Sequence, residues 1–267
     1  MTTIAKLMNL KGRRALVTGA AGHIGRAISE TLAELGADLI LVDRPGVSYG
    51  TLTEKLEQEW NVQVQTFDCD LELQEERSRL IDSIMQQARG LDILINNAAF
   101  SAPPGLQGWA TDFEHQSVEV WHRALEVNLT AAFDLTKGFL PLLKNNGRGS
   151  VINISSIYGT SAPDYGLYQG TEMGNPAAYG VAKAGLIQFT RWLSTTAAPQ
   201  VRANAISPGG VFRNQPKVFV DRYEARTPLG RMATEDDFKG AIAYLSSDLS
   251  LYVTGQNLSV DGGWGVW

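Results

Sequence analysis

Arg14-Ala15-Leu16-Val17-Thr18-Gly19-Ala20-Ala21-Gly22-His23-Ile24-Gly25 decides how this chain is read. A short apolar run of strand formers enters a turn with three glycines. A helical pattern follows, with Ile28, Leu32 and Leu35 along one face. Glycines let the backbone turn tightly and come close to an anion. The free N–H groups at the start of the next helix can then bind that anion. Strand, glycine-rich turn and helix, in that order, are the setting in which such a turn holds a dinucleotide pyrophosphate. An ordinary strand-to-helix turn is the plainer alternative.

The same alternation continues along the chain. Asp38 to Arg44 reads as a second strand, with Asp43 placed 18 residues after Gly25. A carboxylate there accepts hydrogen bonds from both ribose hydroxyls of NAD and repels the 2′-phosphate of NADP, which Arg44 would attract. Val62 to Phe67 is a third strand, leading through Asp68-Cys69-Asp70-Leu71 into a charged amphipathic helix over Leu71–Arg89. Leu91 to Ile95 is a fourth. The small residues of Asn96-Asn97-Ala98-Ala99 after it let a flat ring lie close to the backbone. Phe100 to Gly108 is a loop, and Phe113 to Leu143 reads as one long helix. Asn128, midway along it, is unfavourable by propensity and signals a kink or a polar role. Ser150 to Ile154 is a fifth strand, followed by Ser155-Ser156. Val201 to Ile206 is a sixth, followed by Ser207-Pro208-Gly209-Gly210-Val211. Phe212 to Thr227 reads as a mobile cover over a site. Phe238 to Leu245 is the last helix, and Gln256 to Val260 the seventh strand. Alternating strands and helices predict an α/β fold: one doubly wound parallel sheet of about seven strands with helices on both faces. Ligands would bind beyond the carboxyl ends of the strands. No linker or repeat divides the chain, so residues 1–267 read as one domain.

Tyr179-Gly180-Val181-Ala182-Lys183 heads an apolar helical run. A tyrosine and a lysine four apart share one helix face. The ammonium is expected to favour the phenolate and lower the tyrosine pKa, tuning it for proton transfer. On an arbitrary helix the same spacing is usually a solvated pair.

Composition narrows the function. With 267 residues, 44% hydrophobic and 19% charged, the chain can bury a large core. A net charge of −5 offers no electrostatic case for nucleic acid or an anionic membrane. Cys69 is the one cysteine, which excludes an internal disulfide and fits the cytoplasm. No apolar run approaches the ~20 residues of a membrane span. His23, His115 and His122 lack metal-ligand spacing, so no metal is expected.

These motifs, taken together, resemble the short-chain dehydrogenase/reductase family, classical type. The residues concerned are Thr18–Gly25, Asp70-Leu71, Asn96–Ala99, Asn128, Ser156, Tyr179 with Lys183, Pro208-Gly209 and Val260-Asp261-Gly262-Gly263. The resemblance spans Gly12 to Gly263 and implies a Rossmann-like fold. It implies that Tyr179 is the general acid or base, that Lys183 lowers its pKa and binds the nicotinamide ribose, and that Ser156 donates to the substrate oxygen. Asn128 would hold a water linking Lys183 to solvent. It further implies cofactor contacts from Gly19, Ala21, Gly22, His23, Ile24 and Gly25, from Asp43 and Arg44, and from Asp70 and Leu71. Asn97, Ala98, Ala99, Pro208, Gly209 and Val211 complete that set. NAD is the expected cofactor, or NADP through Arg44.

This chain departs from the family pattern in four places. His23 stands where a glycine is usual, Ala99 replaces a glycine, and Arg213 replaces a threonine that contacts the carboxamide. Contact at Arg213 is therefore expected through the backbone. The Ser156–Tyr179 gap is also long. The resulting insert, near residues 158–177, is similar to that of bacterial reductases of flagellin modification and nonulosonic sugar synthesis. Its polar and aromatic residues suit a sugar, and Tyr158, Tyr165 and Tyr168 join Ser156 and Tyr179 as expected substrate contacts. Packing against a neighbouring subunit is the alternative role for the insert.

An oxidoreductase acting on a sugar-derived substrate is the main expectation. A 3-oxoacyl- or quinone-type carbonyl reductase using NADPH is the alternative, and a non-catalytic dinucleotide-sensing protein a third. By the same resemblance, a homotetramer or homodimer is expected, pairing the helices over Phe113–Leu143 and Ala178–Ala197.

Overall fold

The computed structural model describes residues 1–267 apart from Ala88 and Pro104. Ala88 belongs to the helix expected over Leu71–Arg89 and Pro104 to the loop expected over Phe100–Gly108; both lie outside the described residues.

Seven strands form one parallel sheet: β1 (Arg14–Thr18), β2 (Asp38–Asp43), β3 (Val64–Asp68), β4 (Ile93–Asn96), β5 (Gly149–Ile154), β6 (Val201–Pro208) and β7 (Asn257–Val260). Their spatial order is β3-β2-β1-β4-β5-β6-β7. The helices are α1 (Ile4–Met8), α2 (His23–Glu34), α3 (Leu52–Trp60), α4 (Gln74–Met85), α5 (Val118–Leu125), α6 (Ala131–Lys144), α7 (Ala177–Thr196), α8 (Lys217–Arg226) and α9 (Lys239–Ser246).

Side-chain alternation explains the layers. Ala15 and Val17 of β1 pack on one face with Ile28 and Leu32 of α2. Leu16, between them, packs on the other face with Leu135 and Phe139 of α6. β2 repeats the division, Leu39 and Leu41 against Ile40 and Val42. Central strands buried on both faces therefore read as unbroken apolar runs. The strand order reverses between β1 and β4, and there the chain ends of the two strands diverge into a crevice.

Two helix starts differ from expectation. The helix expected from Leu71 begins at Gln74, because Asp70 holds a turn: its Oδ1 accepts from Glu72 N–H at 3.0 Å. The long helix expected from Phe113 begins at Val118, capped by the Ser117 hydroxyl on Val120 N–H. It then runs through a π-helical turn, Glu126–Thr130, into α6. Asn128 lies in that turn, and π turns widen a helix where a side chain has work to do. The segment read as a mobile cover contains α8, which buries Phe219 and Tyr223. These join Ile157, Leu167, Met232 and Trp264 in a separate apolar cluster.

Candidate active site

The β1–α2 turn fits an anion by its backbone alone. Gly19 has φ +63°, and a Cβ there would meet Ala98 Cα at 2.9 Å. A Cβ on Gly25 would lie 2.1 Å from the Gly19 carbonyl oxygen, so no other residue fits. Gly22 is the N-cap of α2 and offers no side chain to its N–H groups. They remain available to an anion, with the helix dipole behind them.

Hydrogen bonds stitch this turn to the end of β4. Thr18 Oγ1 accepts from the N–H groups of Asn97 and Ala98 at 3.0 and 3.1 Å. Asn97 Nδ2 donates to the carbonyls of Thr18 and Gly19 at 2.8 and 3.1 Å. Asp43 Oδ2 accepts from Ala21 N–H at 2.9 Å, so the last residue of β2 also faces the turn.

Over this edge runs a cleft of about 780 Å³. Its walls hold Gly19, Ala21 to Gly25, Asp43, Arg44, Asp70, Leu71 and Asn97 to Ala99. Every one of these was expected from sequence, and the structure brings them together. The cleft also takes in Phe100 to Pro103, Arg123 and Arg213. The glycine cradle, the uncapped helix and the carboxylate at the β2 end together fit a dinucleotide.

A second cavity, about 290 Å³, shares Ile24, Asn97 and Ala99 with the first. It is lined by Ser156, Tyr179, Lys183, Pro208 to Val211, Tyr158 and Tyr168. Tyr165 is not among its walls; it lies exposed on the insert, its hydroxyl toward the Asn175 carbonyl at 3.4 Å. Gln215, Phe219 and Tyr223, from the segment expected to cover a site, also line the cavity, as does Met232, which the sequence does not single out. The i, i+4 spacing of Phe219 and Tyr223 after Pro216 was the signal available for them.

The catalytic candidates are held from several directions. Lys183 is buried, and its Nζ donates to the Ile154 carbonyl at 2.8 Å. Ser155 Oγ donates to the Lys183 carbonyl at 2.8 Å, so the first serine of the pair secures α7. Ser156 Oγ accepts from Tyr158 N–H at 3.2 Å and keeps its own proton to give. Asn128 lies elsewhere, in a small pocket with Thr18 and Asn96 rather than in the Tyr179 cavity. Its Oδ1 accepts from Phe100 N–H at 2.7 Å, and its buried Nδ2 has no partner among the described residues.

The electrostatics depart from the simple expectation. Tyr179 reaches the cavity surface, yet dense protein surrounds it, and burial pushes its phenol above the ordinary value. The Ser156 hydroxyl pulls it part of the way back. Burial also pushes Lys183 down, to about 8. The expected lowering of Tyr179 by Lys183 is thus not the net effect in the protein alone. Desolvation opposes both charged forms, and the Ser156 hydroxyl, not Lys183, is what draws the phenol down.

The insert and α8 close the outer wall. Tyr158 and Tyr168 hydroxyls lie 2.7 Å apart. Gly210 N–H donates to the Tyr223 hydroxyl at 2.6 Å, and a Cβ on Gly210 would strike the Tyr223 ring. Arg226 pairs with Asp164 of the insert, with its guanidinium 4.4 Å above the Trp264 ring. No group of three or more His, Cys, Asp or Glu side chains is placed to hold a metal among the described residues. No helix there is long and apolar enough to cross a membrane.

A doubly wound sheet, a glycine cradle at its switch point and a Ser-Tyr-Lys constellation beside it define a dinucleotide-dependent oxidoreductase. The sequence model of the family described as enoyl-(acyl carrier protein) reductase matches residues 19–265. The chain belongs to the short-chain dehydrogenase/reductase family and is an NAD(P)-dependent oxidoreductase acting on CH–OH groups. It is 30% identical over 263 residues to 3-oxoacyl-(acyl-carrier-protein) reductase FabG of Aquifex aeolicus (strain VF5), covering 96% of this chain and 98% of that protein. It is 29% identical over 258 residues to post-translational flagellin modification protein A of Campylobacter coli, covering 96% and 100%. A short-chain dehydrogenase of Leptospira borgpetersenii serovar Hardjo-bovis (strain JB197), solved with bound NAD+, superposes with TM-score 0.82 at 34% identity, covering 99% and 96%. A gluconate 5-dehydrogenase of Burkholderia cenocepacia J2315, in complex with NADP and tartrate, superposes with TM-score 0.85 at 27% identity, covering 99% and 100%.

Proposed function

We propose that this enzyme interconverts a hydroxyl and a carbonyl on a polar, sugar-derived substrate, as a step in making sugars for surface glycans, with NAD as its preferred cofactor. One observation carries the reading. Tyr158 and Tyr168, whose hydroxyls are hydrogen-bonded to each other, line the cavity that also holds Ser156 and Tyr179. Aromatic faces pack on the C–H face of a sugar ring and hydroxyl edges answer its polar groups. A cavity of about 290 Å³ lies at the small end of ligand pockets, typically ~300–1,000 Å³. The likeness to a flagellin modification protein and to a gluconate dehydrogenase supports the same substrate class.

A bound nicotinamide ring supplies or takes the hydride. The chain's own residues manage the proton. Ser156 donates to the substrate oxygen as negative charge develops there. Tyr179, whose phenol burial holds above its ordinary value, gives its proton to a carbonyl oxygen in reduction and takes it back in oxidation. Lys183 positions the ribose, and the unpartnered Nδ2 of Asn128 is placed to hold a water. Asp43, bonded to the turn, would accept hydrogen bonds from the ribose hydroxyls of NAD, while Arg44 is exposed beyond it.

The single buried thiol of Cys69 supports a reducing compartment, the cytoplasm. Exposed Phe133, Val181 and Trp192 on α6 and α7 support pairing of those helices in a homodimer or homotetramer.

A second reading, reduction of a 3-oxoacyl group with NADPH, draws on the apolar Ile157, Phe219 and Met232 in the same cavity and on the likeness to FabG. Turnover separates the two. Purified protein is given NAD⁺ or NADP⁺ with free, phosphorylated and nucleotide-linked sugars, and separately NADPH with 3-oxoacyl thioesters. Turnover of one sugar class with NAD⁺ is the expected result. Turnover confined to thioesters with NADPH would overturn it.

A further inference from the structure

We propose that the Arg213 side chain is a diphosphate-binding residue of the dinucleotide cleft, aimed by Glu235. This rests on the reading of the cleft as a dinucleotide site. It departs from the backbone-only contact expected at this position.

Three arginines line the cleft. Arg44 lies at the β2 end, beside the ribose-facing Asp43. Arg123 is clamped by Glu72, at 2.7 and 3.2 Å, with its guanidinium 5.4 Å from the Phe100 ring centre. Arg213 differs in position. Its Nη2 lies 2.7 Å from Glu235 Oε1. The same carboxylate oxygen is 3.5 Å from His23 Nδ1, and His23 is the first residue of α2. Glu235 thus brings the Arg213 guanidinium alongside the helix N-terminus that faces a diphosphate. Arg213 Nη1 donates to the Phe212 carbonyl at 2.8 Å, and its backbone N–H donates to Gln215 Oε1 at 2.6 Å, so both ends of the side chain are positioned.

The chemistry supports the placement. A dinucleotide diphosphate carries two negative charges. Amide N–H groups at the turn satisfy its oxygens but bring only partial positive charge. A planar guanidinium adds a full charge and paired donors matched to phosphate. Glu235 on Nη2 and the Phe212 carbonyl on Nη1 orient the guanidinium without occupying all five of its donors.

The test measures binding of ADP-ribose and of adenosine, the second having the base and ribose but no phosphate. Titration calorimetry is run at two salt concentrations on the wild type, Arg213→Ala, Arg213→Lys and Glu235→Gln. Arg213→Ala is expected to weaken ADP-ribose at least ~10-fold, as for loss of a charged hydrogen bond, with adenosine changed less than ~2-fold. The salt dependence of ADP-ribose binding should shrink with it. Arg213→Lys should recover part of the affinity, and Glu235→Gln should lose a smaller part. Unchanged ADP-ribose affinity in Arg213→Ala would overturn the proposal. So would equal weakening of both ligands, which would report general damage to the cleft. Failure of the wild type to bind ADP-ribose would instead overturn the dinucleotide reading beneath it.

Discussion

Lys183 Nζ lies 5.7 Å from the centre of the Tyr179 ring and spends a hydrogen bond on the Ile154 carbonyl at the end of β5. The pair is therefore anchored to the sheet, and its two members share a desolvated setting. Removing the phenolic oxygen alone isolates the proton-transfer role. Tyr179→Phe should cut kcat by ~10²–10⁴, the usual worth of general acid–base catalysis. The affinity for NADH should stay within ~2-fold, because the glycine cradle is untouched. Near-normal turnover would remove Tyr179 from the mechanism.

Lys183 also predicts a pH dependence of stability. Its ordinary value is 10.5 and its value in the fold about 8. Between these, the unfolded chain binds more protons than the folded one, so stability rises as pH climbs from about 8 toward 10.5. The penalty of burying the ammonium is full below pH 8 and fades above it. Tyr179 acts in the opposite sense, but only above its ordinary value of 10.0. Urea unfolding at pH 7.5, 8.5 and 9.5 should show Lys183→Met removing an upward contribution on the order of 1–3 kcal/mol. Parallel curves for variant and wild type would refute the buried ammonium.

Gly25→Ala tests the cradle. Its new Cβ would sit 2.1 Å from the Gly19 carbonyl oxygen, and backbone on both sides leaves it no way to relax cheaply. Overpacking of this kind costs ~1–3 kcal/mol or more. The variant should melt at a lower temperature and bind NADH at least ~10-fold more weakly. Wild-type NADH affinity would mean that the turn does not carry the diphosphate.

Cys69 should be chemically silent in the native state. Burial pushes its thiol up to about 12, and only 1% of its surface is exposed. The thiolate is the reactive form. An aromatic disulfide reagent at pH 8 should label it at least ~100-fold faster in urea than in buffer, consistent with opening-limited access. Fast labelling of the folded protein would mean that the β3–α4 connection opens readily.

The asymmetry between the two cavities shows what was legible in sequence. All thirteen residues expected along the dinucleotide cleft as far as Ala99 line it. They follow the carboxyl ends of consecutive strands, so strand order alone places them. The outer wall of the smaller cavity was half read. Tyr158 and Tyr168 line it, and Tyr165, from the same insert, does not. Loop side chains have no period that assigns them an inside. The face of Tyr165 depends on where α8 docks, through Arg226 on Asp164 and Arg222 on the Gln169 carbonyl at 2.6 Å. Asn128 stands out in the sequence because it breaks helix propensity, but no local pattern marks the π turn around it.

By itself the sequence determined the parallel α/β layers and which residues gather along the dinucleotide cleft. Local periodicity and glycine geometry are short-range properties, and they recur at each strand–helix junction. Only the tertiary structure decided the electrostatics and the reach of the site. Tyr179 is held above its ordinary pKa because burial costs the phenolate more than the Ser156 hydroxyl returns, and burial is a property of the whole packed chain. Arg213 comes to the head of α2 because Glu235, 22 residues further along, folds back beside His23. No local pattern specifies a contact of that kind.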